Sequence, residues 1–569
     1  MNTIADILAE AGNDVTLFMP VINEKYAKKS RLSFVKKVIY HKVDERVISM
    51  YNDLYGSANS SGLVNIWAMN PSVLSLVPVV GATLEMQKLN CEKIMNDKGL
   101  IDKLRAEKFD LAIGEPYSIC PFALFDYLNI PSTISAASTG QLPTVSYAIG
   151  EPLSASFIPG LISDSSEQMN MLQRASNIFS SLFFYAGGSY MYGLELDHIQ
   201  NVFGDKHWME LLSKVSFSFV NSVPYLDFPQ PTLPKTIAIG GLSVDFKSEN
   251  HSKLPKEWSE ILNKRSKNVL ISFGTYAPTI GMPIEYKKSF ISLFKSMPEV
   301  TFIWKYENPH DELLKGIDNL VPTEWMPQNE LLADNRLSLF ITHGGIGSTI
   351  ELAHSGKPAI VIPIQGDQKR NAEMLKRHKV SIALQKERLV EDKILINSVK
   401  EILNTKEYHE NSKRLEGLLS NRPFPAKEIL IRHCELAAKF GRLTELDSFG
   451  RHLNIVQYYL IDVAILFLTL TVFIILLISA CIRRSCCRRA IQKIRKKFAS
   501  IEIQKISKTL CNFEFSDREL RSVLGRRDGH VYENLYKWAK ASELNRDDVL
   551  PYVHKYLTPM MNEARKSKI

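Results

Sequence analysis

The residues best suited to chemistry lie between Trp325 and Asn371, in the run WMPQNELLADNRLSLFITHGGIGSTIELAHSGKPAIVIPIQGDQKRN. An apolar strand, Leu337–Thr342, ends in His343-Gly344-Gly345, and a helix-like segment, Gly347–Ser355, follows at once. A second apolar strand, Pro358–Ile364, runs into Gln365-Gly366-Asp367-Gln368. A strand, a glycine turn and a helix N-terminus are the physical requirements for holding a diphosphate. Glycine lets the backbone approach closely, and the helix start offers free N–H groups and partial positive charge. The acid–amide pair after the next strand sits where the hydroxyls of an attached sugar could be read. The pattern therefore points to a nucleotide-sugar site, beyond a nucleotide site alone.

The order and spacing of Trp325, Gln328, His343, Gly344, Gly345, Glu351, Pro363, Asp367 and Gln368 closely resemble the donor-site signature of the UDP-glycosyltransferases. These are membrane-bound enzymes that conjugate sugars to small lipophilic acceptors. The resemblance extends from Met1 to about Arg489. It implies an α/β chain of the GT-B type, with two Rossmann-like domains facing a cleft, and an inverting, metal-independent transfer. It also implies roles for particular residues. Trp325 would stack on the uracil, Gln328 would contact base or ribose, and Glu351 would accept from ribose hydroxyls. His343 and the Gly347/Ser348 backbone would meet the diphosphate, helped by Ser272, Thr275 and Asn371. Asp367 and Gln368 would bind the sugar hydroxyls.

Inverting transfer needs a base to take the acceptor proton, and a carboxylate to orient that base. In the family the base is a histidine in the first loop of the N-terminal domain. That position falls upstream of Met1, and the first histidine present, His41, lies far past the first strand. Glu115, after the strand in FDLAIGEP, matches the orienting carboxylate. The expectation is a chain that keeps the donor site and the orienter but lacks the base, and whose N-terminus is incomplete. The linker run Phe228-Pro229-Gln230-Pro231 has glutamine where relatives often carry arginine. Gln230 therefore favours a neutral hexose, glucose, over glucuronate, whose carboxylate an arginine would grip. No metal ligand spacing and no Asp-x-Asp motif occur, so no cofactor is expected and the UDP-sugar is a co-substrate.

The elements that must position these groups can be read from pattern. Residues 1–225 alternate helix-like and strand-like segments, including strands Leu111–Gly114 and Thr133–Ser135, as an acceptor-binding domain would. Ser222–Leu242, with four prolines and a closing glycine pair, reads as the interdomain linker. A donor domain, 226–445, begins in earnest with NVLISFGT and closes with charged helices up to about Phe440. The opening MNTIADILAEAGNDVTLFMP has no apolar signal core; it reads as helix Thr3–Ala11, Gly12, and strand Val15–Met19.

The 569 residues allow more than one domain, and a 45% hydrophobic, 23% charged composition is ordinary for globular protein. The net charge of +9 is not a nucleic-acid signal, because much of it crowds between Arg483 and Lys497, directly after the uncharged apolar segment Val463–Ile482. Those twenty residues match a bilayer-spanning helix, and the basic flank places 483–515 on the cytoplasmic side and the large N-terminal part in the lumen. The expected location is the endoplasmic reticulum membrane, with self-association left open. Sequons at Asn59 and Asn250 agree with a luminal side. The seven cysteines make no disulfide framework: Cys91, Cys120 and Cys434 form an odd luminal set, and the others lie in or beyond the membrane segment.

Residues 516–569 belong to another pattern. Asp528-Gly529-His530-Val531-Tyr532-Glu533-Asn534-Leu535, Trp538-Ala539 and Asn545-x-x-x-Val549 resemble the C-terminal end of peroxisomal acyl-CoA oxidases, and Ser-Lys-Ile resembles a peroxisomal import tripeptide. This conflicts with a secretory-route membrane protein. The segment is too short for a flavin site, so oxidase activity is the remote alternative. A joined gene model or read-through transcript, a genuine fusion whose tail binds a partner, and chance similarity over helical sequence each account for it. The leading expectations are a UDP-sugar-dependent transferase of hexose to a lipophilic hydroxyl acceptor, and a catalytically inactive protein that still holds UDP-sugar.

Overall fold

In the computed structural model, residues 1–22, 32–55, 65–69, 73–244, 254–275 and 277–510 are described. The expected sequons at Asn59 and Asn250, and the tail 516–569, lie outside the described residues. The chain divides into two units, Met1–Asn454 and Ile455–Ile569.

Within the first unit, helix α1 (Asn2–Glu10) leads to a parallel pair, β1 (Thr16–Val21) and β2 (Lys37–Lys42). Helix α2 (Val73–Asn96) precedes a four-stranded parallel sheet ordered β3 (Leu111–Gly114), β4 (Ser132–Ala137), β5 (Phe217–Val220) and β6 (Thr236–Ala238). Between its strands run α3 (Cys120–Tyr127) and the long α4 (Met171–His198). A second sheet follows, with β7 (Lys267–Ser272), β8 (Val300–Lys305), β9 (Leu320–Thr323), β10 (Leu337–Thr342), β11 (Ala359–Val361) and β12 (Ser381–Ala383) in the order β12-β11-β10-β7-β8-β9, all parallel. Helices α5 (Gln328–Ala333), α6 (Ile346–Ser355) and α7 (Gln368–Arg377) feed and leave β10 and β11.

The second sheet is buried on both faces, as parallel strands with crossover helices must be. Alternate residues point to opposite cores. Val269 and Ile271 of β7 and Leu339 and Ile341 of β10 enter one cluster, with Phe302 and Trp304 of β8. Leu270, Phe340 and Val361 enter the other, with Ala353 of α6 and Met374 of α7. Strand order reverses between β10 and β7, so the chain diverges there and leaves a crevice at the C-terminal ends of those strands.

Three expectations need correction. The expected linker Ser222–Leu242 contains β6, which pairs with β5 in the first sheet, so proline content hid a short edge strand. The last of the charged helices, α8 (Ala426–Phe440), does not close the second sheet's core. Leu430, Cys434 and Ala437 pack with Ile4, Ile7, Ile134 and Phe219 on the first sheet. Cys91 and Cys120 are not unpaired members of an odd set but form a disulfide joining α2 to the start of α3, while Cys434 stays free and buried.

In the second unit, helix α9 (Ile461–Leu510) contains the apolar segment. It is the one helix among the described residues long and apolar enough to cross a membrane, with a mean hydropathy of 3.0 in its most apolar window.

Candidate functional site

The crevice at the β10/β7 switch gathers most of the residues singled out by type. Thr342 of β10 sits beside Ser272 of β7 and Val361 of β11, so the turns that follow these strands share one edge. Gly344 holds φ at +81°, in the left-handed region, and a Cβ there would lie 2.6 Å from Val361 Cγ1. Only glycine lets the chain turn here so tightly against β11. Gly345 lies directly against His343 Nε2, and Gly274, also left-handed, packs against the same ring at Cε1 and Nε2. The imidazole thus has two glycine turns packed closely against it. Burial, with a smaller contribution from the nearby Lys305 ammonium, pulls His343 down to about 4, so the ring is neutral near pH 7.

Lys305 is the last residue of β8. Its Nζ donates to Gly274 O at 2.7 Å, and burial lowers its pKa. A lysine at the end of β8 beside a histidine and the open N-terminus of α6 makes an electropositive corner suited to an anion. Ser272 is buried at the end of β7, its Oγ accepting from Gly274 N at 3.4 Å, while Thr275 is exposed. Gly347 and Ser348 begin α6, and a Cβ on Gly347 would meet open space.

A second group lies one turn along α6. Gln328 Nε2, from the first residue of α5, donates to Glu351 Oε2 at 2.6 Å and to Ser348 Oγ at 3.4 Å. Burial raises the Glu351 pKa, and the Gln328 bond opposes that rise. Trp325, just before α5, is 74% exposed while its neighbour Met326 is buried. A tryptophan left in solvent at a site edge is available for stacking on a planar ligand.

A third group caps α7. Asp367 is the N-cap residue, and Asn371 Nδ2 donates to both Asp367 Oδ2 and Gly344 O, each at 2.9 Å. One side chain therefore ties the glycine turn to the acid. Burial raises the Asp367 pKa, with the Asn371 bond opposing. Gln368 Oε1 accepts from Ile364 N and Gln365 N, which fixes the loop and orients its amide. Arg370 was not anticipated. It donates to Asp227 Oδ1 at 2.7 Å and to Pro159 O, and stacks on Phe228, so α7 is buckled to the segment that leaves the first sheet. Gln230, two residues beyond, is half-buried, and no hydrogen bond joins it to the donor-side groups among the described residues.

Across the crevice, Glu115 follows β3 and accepts from Ser138 N at 3.2 Å. Tyr117 shares a 2.8 Å hydrogen bond with Thr139. Its hydroxyl is held above the usual range by burial, and the charges of both Glu115 and Asp367 act on it in the same direction. Glu115 and Asp367, from the two sheets, therefore both lie within electrostatic reach of one phenol. The Glu115–Tyr117 turn is itself anchored from behind. Tyr192 donates to Pro116 O, Gln87 Nε2 donates to Tyr117 O, and the fully buried Glu195 accepts from Ser118 Oγ, Ile119 N and Cys120 N. Glu195 thus supplies the start of α3 with an acceptor for its free N–H groups, and burial raises it to about 7. His41 lies elsewhere, 3.4 Å from Asp97. Among the described residues no cluster of His, Cys, Asp or Glu has the geometry of a metal site.

Comparison with known proteins gives the family and the fold. The family described as UDP-glucoronosyl and UDP-glucosyl transferase matches residues 1–497, and the acyl-CoA oxidase family matches residues 511–562. A Caenorhabditis elegans relative, ugt-48, is 29% identical over 489 residues, covering 84% of this chain and 90% of its own. UDP-glucuronosyltransferase 3A1 of Bos taurus is 27% identical over 394 residues, covering 68% of this chain and 74% of its own. Among solved structures, the glycotransferase of kitacinnamycin superposes with a TM-score of 0.51 at 15% identity, over 77% of this chain and 94% of that one. Os79 from O. sativa, in complex with UDP, gives 0.50 at 14%, over 77% and 97%. The fold shared with these enzymes is GT-B.

Proposed function

The chain belongs to the UDP-glucoronosyl and UDP-glucosyl transferase family, whose members transfer glycosyl groups from UDP-sugars, and from that premise we propose a specific donor, acceptor class and division of labour. The donor is a UDP-hexose, with glucose favoured, and the acceptor is a hydroxyl on a small lipophilic molecule. Transfer inverts the anomeric centre and uses no metal. The observation that carries this reading is the convergence of three groups on one crevice: His343 with its packed glycine turns, the Gln328–Glu351 pair and the Asp367–Asn371 cap.

In this reading Trp325 stacks on the uracil, and Glu351, oriented by Gln328, accepts from the ribose hydroxyls. His343, Lys305, Ser272, Thr275 and the backbone of Gly344, Gly345, Gly347 and Ser348 receive the diphosphate. A neutral imidazole can donate one N–H to a phosphate oxygen, and the lysine supplies the charge. Asp367 and the amide of Gln368 bind the sugar hydroxyls, with Asn371 holding Asp367 in place. On the facing side Glu115 orients and stabilises the base that takes the acceptor proton, and Tyr117 lines the path between Glu115 and the sugar. The enzyme is anchored in the endoplasmic reticulum membrane by 463–482, with its domains luminal and its basic segment cytoplasmic.

A second reading, donor binding without transfer, is favoured by one observation. The hydrogen bond of Glu115 goes to Ser138, and His41 is engaged with Asp97. Donor preference separates the proposed sugar from its rival. UDP-glucose should bind this chain more tightly than UDP-glucuronate, and Gln230→Arg should narrow or reverse the difference. Equal binding of both donors, unmoved by Gln230→Arg, overturns the assignment of sugar choice to Gln230.

A further inference from the structure

We propose that Trp67 is a positioning residue for the diphosphate of the donor. It comes from the half of the chain that forms the first sheet, and it holds the turn after β7 in the shape that receives the phosphates. The proposal rests on the placement of the diphosphate given above and adds to that site a residue from the other half of the chain.

The observation is an insertion. Residues 65–69 lie between β2 and α2 in the chain, yet Ile66 and Trp67 are buried in the core of the second sheet. Trp67 is only 2% exposed. Its indole packs edge-on against Phe273, with ring centroids 4.9 Å apart, and shares its cluster with Ala277 and Met282. Phe273 belongs to the turn Ser272-Phe273-Gly274-Thr275, whose neighbours on either side of it are assigned to the diphosphate. Phe273 in turn meets Phe290 edge-on, and Phe290 stacks on Trp304 of β8 at 5.4 Å. A row of four rings therefore runs from the inserted segment to the residue before Lys305.

Hydrogen bonds fix the insertion. Trp67 Nε1 donates to Pro278 O at 3.1 Å, and Asn65 Nδ2 donates to Gly281 O at 2.9 Å. Asn65 Oδ1 also accepts from Trp67 N, which holds the segment bent. Both carbonyl acceptors lie in the stretch that follows the turn. The same stretch is tied to the end of β8: Thr279 Oγ1 donates to Lys305 O at 3.1 Å, and Ile280 N donates to Glu307 Oε2. Lys386, 3% exposed, donates through Nζ to Ile66 O at 3.1 Å and to Met69 O at 2.6 Å. A buried ammonium is costly unless its hydrogen bonds are met, and two carbonyls of the inserted segment meet them here.

The position of this turn matters because the groups assigned to the diphosphate touch it. A Cβ on Gly274 would come within 2.8 Å of His343 Cε1, so the turn and the imidazole have no slack between them. Ser272 and Lys305 both hydrogen-bond Gly274. In a close-packed core, removing the indole leaves a space that Phe273 can enter, and Gly274 moves with it. A displacement of about an ångström is enough to spoil the alignment of a positioned group. The nucleoside side of the site is separate. Among the described residues, no hydrogen bond joins residues 65–69 to Trp325, Gln328 or Glu351. Trp67 should therefore act on the phosphates and not on the base or ribose.

The test is equilibrium binding to the full chain. UDP is read by isothermal titration calorimetry, and uridine, which lacks the phosphates, by ligand-observed NMR. Trp67→Ala should weaken UDP at least about tenfold and leave uridine unchanged. Trp67→Phe, which keeps a ring against Phe273, should stay within about threefold of the wild type for UDP. Unchanged UDP affinity in Trp67→Ala overturns the proposal. So does an equal loss of UDP and uridine, which marks a merely structural role. If Trp67→Ala does not fold, Asn65→Ala decides, because Asn65 is exposed and its loss removes only the bonds to Gly281 and to the Trp67 N–H. About fivefold weaker UDP with unchanged uridine then supports the proposal, and unchanged UDP overturns it. His343→Gln separates the proposal from the reading beneath it. UDP weakened by His343→Gln but not by Trp67→Ala overturns the role of Trp67 alone, whereas UDP unmoved by His343→Gln overturns the diphosphate placement and the proposal with it.

Discussion

Binding of UDP-glucose is expected to take up a proton at His343, and therefore to tighten as the pH falls from about 7 to about 5. In the free protein burial holds the imidazole at about 4 against an ordinary 6.5, with the Lys305 charge acting in the same direction. A diphosphate seated against the ring places negative charge beside it and favours the cation, so the bound state pulls the pKa back up. If it returns to the ordinary value, linkage makes the complex roughly twentyfold tighter near pH 5 than near pH 7. The diphosphate of a UDP-sugar carries no proton of its own in that range. Glu351 and Asp367 oppose the effect, because burial has raised both and hydroxyls donating to them would release protons on binding. Comparison with His343→Gln isolates the ring. Isothermal titration calorimetry near pH 5.5, in buffers of different ionisation heat, should show close to one more proton taken up by the wild type than by the variant. Equal proton counts and a flat pH dependence in both proteins refute the placement of the diphosphate against His343.

Glu195 makes the opposite prediction for stability. Its folded pKa, about 7, lies above the usual 4.5, so its contribution is whole below that lower value and is lost as pH rises through the upper one. The wild type should lose up to about 3 kcal/mol relative to Glu195→Gln between about pH 5 and pH 8, read as the difference in their thermal midpoints. Gly344→Ala should cost about 2–4 kcal/mol of stability and weaken donor binding, because the left-handed backbone and the 2.6 Å approach to Val361 both resist a Cβ. Gly347→Ala, which meets open space, should leave the thermal midpoint near that of the wild type.

How far the sequence can be read depends on how local the determining physics is. Strand Leu337–Thr342, the glycine turn and helix Ile346–Ser355 follow from apolar runs and punctuation within twenty residues, and the GT-B class follows from the resemblance of that run to the UDP-glycosyltransferase donor signature. The pairing of Gln328 with Glu351 is nearly local too, since both flank the same strand. What escaped depends on partners far apart in the chain. Glu195 reads as a solvated helix acid until the fold brings Ser118, Ile119 and Cys120 to it. Arg370 reads as a surface charge until Asp227 and Phe228 arrive from the other side of the crevice. Cys91 and Cys120 meet only because α2 ends beside α3, and β6 is visible only through its partner β5. The return of α8 to the first sheet follows from an apolar seam whose mates lie in α1 and β4, hundreds of residues upstream.

The central claim is that the crevice at the β10/β7 switch binds a UDP-sugar through a stacked base and a sugar-reading acid. It is tested most directly by equilibrium binding of UDP-glucose to the full chain and to Trp325→Ala and Asp367→Ala. The account predicts binding by the wild type. It predicts a loss of about ten- to a hundredfold on removing the exposed indole, the scale of one base–aromatic stack, and a comparable loss on removing the Asp367 carboxylate. Unchanged affinity in both variants, with the fold intact, would contradict it.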